Sequence, residues 1–154
     1  MLQHPKTWFV IADGARARIL AHRVGEPTFE TVTEFASVAA HRTTEELGSD
    51  KPPRAFESVG GARHAMEARS DFHEAAKAEF ADMIAENIND GASRNAFDLL
   101  VLIAPPHVLQ EIKEHLPAKI AERVAAKLPK DLTKLPDWAL HERLRGIRIP
   151  QRVR

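Results

Sequence analysis

Residues 7–24, TWFVIADGARARILAHRV, place an Asp-Gly pair between two segments of apolar character. Residues 7–12 are apolar almost without interruption, which predicts a strand. The second segment alternates, because Arg16, Arg18, Leu20 and His22 face away from Ala15, Ala17, Ile19 and Ala21. Asp13-Gly14 favours a tight turn in which the glycine takes a positive φ. The stretch therefore predicts an antiparallel hairpin.

The next segment, TFETVTEFA at residues 28–36, also alternates. Its pattern puts Phe29 and Phe35 on one face, with Val32 on the other. A third antiparallel strand beside the hairpin is the expectation.

A helix is indicated from Asp71, where Asp71 and Glu74 have the spacing of a capping box. Its apolar stripe recurs at helical period, and Asn89-Asp90-Gly91 is the expected end. The stripe consists of Phe72, Ala76, Phe80, Met83, Ile84 and Ile88.

Residues 97–104, FDLLVLIA, form a second unbroken apolar segment, followed by a helix with Pro106 in its first turn. Strand, helix and strand in this order imply a crossover connection that packs on a sheet.

Residues 124–132 fit either a helix or an edge strand that follows a short helix. Asp137 favours the start of a last helix that ends at Gly146, with Trp138, like Trp8, in the core.

These elements predict a single α/β domain over residues 1–146, with a mixed, largely antiparallel sheet of about five strands and helices packed on it. Residues 44–47 could form one helical turn, but the periodicity fades throughout residues 37–69. That segment is predicted to be one long exposed loop, and such loops are commonly functional or disordered. Residues 147–154 are basic and are expected to form a mobile tail.

Composition limits the function classes. Lys plus Arg equals Asp plus Glu at 22 each, so nucleic-acid binding would have to depend on a local patch. The absence of cysteine excludes disulfides and thiol chemistry, and is compatible with a reducing compartment. The apolar segments are too short for a signal peptide or a membrane span. The expected location is the cytoplasm.

The candidate site residues lie around the glycine pair Gly60-Gly61 in the predicted loop. Two adjacent glycines allow a close backbone approach to a ligand, and the basic side chains nearby suit phosphate. The other members of this candidate binding surface are Arg63, His64, Glu67, Arg69 and His73. An ordinary flexible turn in a solvated charged loop is the alternative. The histidine spacing matches no metal motif, and neither a metal nor a cofactor is expected.

Four segments together resemble the bacterial host attachment protein family. They are VIADGARARIL in the hairpin, ELGSDKP with FESVGGARHAMEARSDFHE in the loop, LLVLIAPPHVL in the central strand, and KDLTKLP near the end. The resemblance extends from Thr7 to about Leu144. It implies a role connected with attachment to host cells, a phenotype that specifies no chemistry.

The order of elements is in turn similar to the middle domain of archaeal and eukaryotic peptide-chain release factors. That domain carries Gly-Gly-Gln before its long helix, where this chain has Gly60-Gly61-Ala62. The resemblance implies a binding module that engages RNA or a ribosomal complex through Gly60-Gly61. Two alternatives stay open: a hydrolase of peptidyl-tRNA or a related ester, using Gly60, Gly61 and His64, and direct adhesion or binding of a protein partner. The missing glutamine weakens the hydrolase alternative.

Overall fold

The computed structural model describes residues 5–23, 25–37 and 59–149. The strands of this part are β1 Lys6–Ala12, β2 Arg16–Arg23, β3 Glu30–Ala36, β4 Leu99–Ile103 and β5 Val124–Leu128. The helices are α1 Val59–Ser93, α2 Pro106–Glu114, α3 Ala118–Ala121 and α4 Asp137–Arg145. The predicted α/β class and single domain are confirmed.

The strands form one mixed sheet in the order β3-β2-β1-β4-β5. β2 is antiparallel to both β1 and β3, whereas β4 is parallel to both β1 and β5. β1 is the central strand and β4 lies beside it in the interior of the sheet, and both faces of each strand are buried. This position explains why their sequences are continuously apolar rather than alternating.

Helices cover both faces of the sheet. On the first face, a core cluster joins Trp8 and Val10 of β1 with residues of α1, α2 and α3. On the second face, Phe9 and Ile11 of β1 pack with Leu140 and Leu144 of α4. The molecule thus has three layers, with the sheet in the middle.

The hairpin forms as predicted, but its turn has a different basis. Gly14 does not take a positive φ. Instead, one carboxylate oxygen of Asp13 accepts hydrogen bonds from the backbone N–H groups of Ala15 and Arg16, both at 2.7 Å. An aspartate side chain that bonds two or three residues ahead closes a turn without a glycine conformation.

Helix α1 is longer at both ends than the sequence pattern predicted. It begins at Val59 rather than Asp71, so Asp71 lies inside the helix and is not its cap. It also continues through Gly91 to Ser93. The predicted loop is therefore wrong for residues 59–69, which are helical, while residues 38–58, including the suggested turn at 44–47, lie outside the described residues.

A bulge in β3 reverses its alternation. Ile19 pairs with Thr33 and Leu20 with Thr31, which leaves Val32 as an extra residue. One inserted residue exchanges the two faces of a strand. As a result Phe35 packs against Phe80 on the first face, whereas Phe29, expected on that same side, joins the core of the second face.

The C-terminal third contains one confirmed alternative and one error. Residues 124–128 form an edge strand after the short helix α3, as the strand alternative for this segment predicted. Trp8 is buried, but Trp138 is 73% exposed, so its assignment to the core was wrong. Ile147 and Ile149 of the predicted tail pack against the second core cluster, and residues 150–154 lie outside the described residues.

Candidate binding surface

The predicted site residues lie in the N-terminal half of α1 rather than in a loop. Gly60 and Gly61 occupy its first turn. At 100° per residue, positions 60, 63, 64 and 67 share one face of the helix, whereas positions 69 and 73 share the opposite face. The sequence suggested one cluster of site residues. In the structure these residues form two groups on opposite faces of the helix.

Contacts with β1 fix the direction of α1. The side chain of Lys77 passes over Gly14, at the carboxyl end of β1, and Gly91 lies against the ring of Trp8 near the amino end. Helix α1 is therefore antiparallel to β1. The residues before Lys77 must leave the sheet at the edge where β1 and β4 end.

The segment before that edge is defined here as the α1 arm, residues 59–75. Ala76 is the first buried residue among those of α1 whose side chains the structure describes, and Phe72 is 72% exposed. At 1.5 Å per residue, the arm adds about 25 Å of helix before Ala76. Gly60 and Gly61 lie at its far end.

A buried hydroxyl connects two loops at the same edge of the sheet. Oγ1 of Thr133 lies 3.0 Å from Oδ2 of Asp13 and 2.6 Å from Oδ1 of Asp131. The Asp131 oxygen also accepts the backbone N–H of Thr133 at 2.9 Å. The segment KDLTKLP thus ties the loop after β5 to the hairpin turn, which gives these polar groups a structural role.

Polar contacts hold α4 at both ends. Near its start, Arg18 of β2 bonds to Glu34 at 3.1 Å, to Asp137, and to the backbone carbonyl of Leu135 at 3.4 Å. Near its end, Arg145 donates to the carbonyl of Pro27 at 2.9 Å. These contacts hold α4 against the second face while Trp138 remains exposed.

An aromatic stack completes the attachment of α4. The rings of His22 and His141 both stack on Phe29, with centroids 4.3 and 5.1 Å away. Nε2 of His22 lies 2.7 Å from the carbonyl oxygen of Glu26. A carbonyl only accepts, so Nε2 carries the proton in this contact. Sequence reasoning missed this stack, because His141 lies far from Phe29 in the chain and no local pattern joins them.

A pair of lysines is the other feature that sequence reasoning missed. Lys113 of α2 and Lys127 of β5 lie close together, and the pKa of Lys127 is lowered by the neighbouring polar head group of Lys113, by repulsion from its charge and by slight burial. Two like charges thus lie side by side on the first face of the sheet.

The described residues hold neither a metal-binding cluster nor a membrane-spanning helix. No group of three or more His, Asp or Glu side chains in that part of the chain could hold a metal ion. No helix within the same residues is long and apolar enough to cross a membrane.

Comparison with known proteins shows which family this chain belongs to. A search of curated proteins found no match to this chain. The model of one family, described as "Protein required for attachment to host cells", matches residues 8–144, which include every strand and helix of the structure except the first residues of β1 and the last of α4. The chain therefore belongs to the family of proteins required for attachment to host cells.

Proposed function

We propose that this protein is a non-enzymatic binding module that engages structured RNA, in particular a ribosomal complex, through the α1 arm. The observation that carries the proposal is the extension of α1 past the sheet. An arm of about 25 Å that begins with two glycines can reach into a groove that the three-layered body could not enter.

The chemistry of the arm supports an anionic partner. The first N–H groups of a helix have no acceptor within the helix, and the helix dipole favours negative charge at that end. Gly60 and Gly61 have no Cβ, so a phosphate can approach the backbone closely. Arg63 and Arg69 supply two cations along the same arm, and a pair on different faces suits a partner that encloses the arm.

The similarity to release-factor middle domains, inferred from the order of motifs, favours the same class of partner. A ribosomal partner would place the protein in the cytoplasm. Attachment to host cells would then be an indirect consequence of altered protein synthesis. Direct adhesion, the other class of function, predicts instead that the protein is exposed on intact cells.

Charge reversal tests the RNA proposal. In Arg63→Glu/Arg69→Glu, two arm cations become anions, and co-sedimentation with purified ribosomes at low salt should fall by at least about tenfold. The matched control is Arg143→Glu/Arg148→Glu, which makes the same charge change at two exposed arginines near the C-terminal end of the described chain. The control should retain most of the binding.

Three outcomes would overturn the proposal. The first is a wild-type protein that does not sediment with ribosomes at low salt. The second is an equal loss in both double variants, which would indicate unspecific attraction. The third is release of peptide from stalled ribosomal complexes by the wild type above background, which would assign the hydrolase function instead.

A further inference from the structure

The half of α1 that packs on the sheet has an outward face with an unusual composition. Its inward positions, among them Phe80, Ile84 and Ile88, are fully buried. On the opposite side, from Glu79 to Asp90, the exposed residues are acidic or apolar, and no lysine or arginine occurs between Lys77 and Arg94. The outer face of α1 is defined as the exposed residues Glu79, Asp82, Met83 and Glu86 of this half, together with the exposed Phe72 at the end of the arm.

The carboxylates of this face have no counterions. Asp90, one turn further on, is paired with Arg94 at 2.8 Å. Glu79, Asp82 and Glu86 make no ion pair or side-chain hydrogen bond within the described part of the chain. Because they are spaced three and four residues apart, they repel one another along the helix. A partner that brings positive charge would relieve this repulsion.

Two large apolar side chains lie on the same side of the helix as these acids. Met83 is 41% exposed and Phe72 is 72% exposed. They are eleven residues apart, which is about three turns, so they lie on the same side of the helix about 16 Å from each other. Exposed apolar residues aligned in this way suit a helix that packs along α1 and inserts its own apolar side chains between them.

We propose that the outer face of α1 is a docking surface for a basic amphipathic helix of a partner protein. The unpaired carboxylates select lysine and arginine, and Met83 with Phe72 supplies the apolar contact. A nucleic acid does not fit this face, because its phosphates would meet three carboxylates without a cation between them. The RNA proposal concerns Gly60, Gly61 and the two arginines of the arm, so the two proposals have only the arm residue Phe72 near both surfaces, and they are tested by different variants.

The test uses a fluorescent peptide of leucine and lysine that forms an amphipathic helix, with a leucine and glutamate peptide as its negative counterpart. The wild-type protein should bind the lysine peptide in a salt-dependent manner and should not bind the glutamate peptide. Glu79→Gln/Asp82→Asn/Glu86→Gln should weaken that binding by about tenfold. Met83→Ser should weaken it as well, with little effect on its salt dependence.

The matched control is Glu26→Gln/Glu122→Gln/Glu142→Gln, in which three exposed carboxylates outside α1 are neutralised. It changes the net charge by the same amount and should alter the affinity by less than about twofold. Thermal melting of each variant checks that the fold is intact. Amide NMR spectra of the wild-type protein with the peptide should show shifts along residues 75–90.

Several results would overturn this proposal. They are absence of binding at low salt, equal losses in the two triple variants, or amide shifts confined to other elements. Self-association of the free protein that disappears in Glu79→Gln/Asp82→Asn/Glu86→Gln would assign the face to a second copy of the chain instead. Failure of ribosome binding leaves the expected peptide result unchanged, so the two proposals fail separately.

Discussion

Gly91 shows how one contact decides where a helix continues. The sequence Asn89-Asp90-Gly91 is typical of a helix end, because glycine in a helix interior costs about 1 kcal/mol relative to alanine. In the structure, a Cβ at Gly91 would lie 2.2 Å from Cη2 of Trp8. Glycine is therefore required where the indole ring packs against the helix, and α1 continues past it.

The close packing at Gly91 leads to a stability prediction. Gly91→Ala should lower the free energy of unfolding by about 1–3 kcal/mol, since the added methyl group forces Trp8 or α1 to move. The gain in helix propensity offsets only part of this loss. Urea unfolding followed by tryptophan fluorescence measures the change.

The control for this variant is Gly146→Ala, where the nearest atom to an added Cβ is a backbone oxygen at 3.5 Å. This control should stay within about 0.5 kcal/mol of the wild type. If Gly91→Ala were as stable as the control, the close packing of α1 against Trp8 at Gly91 would be contradicted.

Among the elements, those that pack on the sheet could be predicted and those that leave it could not. The strands at residues 7–12 and 99–103 and the stripe of α1 from Ala76 to Ile88 carry a hydrophobic period, because burial imposes it. The α1 arm precedes the first buried residue described in this helix, and its sequence lacks that period. Helix-favouring residues such as Ala62, Ala65 and Met66 are the signal that could have indicated it.

Bulges are a second feature that the alternation could not reveal. Val32 in β3 and Ala125 in β5 are each an extra residue in the pairing with the neighbouring strand. Both bulged strands are edges of the sheet. A bulged edge is a poor template for another strand, so these irregularities hinder unwanted pairing between molecules.

Helix α4 should depend strongly on one arginine. Arg18→Met keeps most of the side-chain volume but removes the bonds to Glu34, Asp137 and the carbonyl of Leu135. We expect a loss of about 1–2 kcal/mol, moderate because both carboxylates are largely exposed. Hydrogen exchange should become faster in α4 than in α1.

The matched control for Arg18→Met is Arg16→Met, two residues earlier on the same strand, where the exposed side chain has no such partners. It should leave exchange in α4 unchanged. Equal exchange rates in the two variants would mean that Arg18 does not hold α4 in place.

For the molecule as a whole, overall neutrality conceals an uneven distribution of charge. The outer face of α1 is acidic, while the lysine pair Lys113 and Lys127 leaves a basic area on the same side of the sheet. Composition alone predicted no preference for a charged partner. The separation becomes visible only once the helices are placed on the sheet, because it depends on which residues point outward.

The candidate site shows the same limit of sequence reasoning. The sequence singled out the glycine pair and the charged residues after it, but treated them as a loop cluster. Their placement on a helix separates positions 63, 64 and 67 from positions 69 and 73. Partners such as Thr133 with Asp13, or Phe29 with His141, come from distant parts of the chain, and no local pattern indicates them.

The most direct test of the RNA proposal is crosslinking inside living cells. A photoreactive amino acid replaces Ala62 in the α1 arm, which leaves Arg63 and Arg69 intact, or, as a control, Arg143 on α4, and the crosslinked products are identified by RNA sequencing and mass spectrometry. If the arm engages a ribosomal complex, position 62 will yield RNA well above the level at position 143. Equal RNA at both positions, or only cell-surface proteins at position 62, would contradict that function.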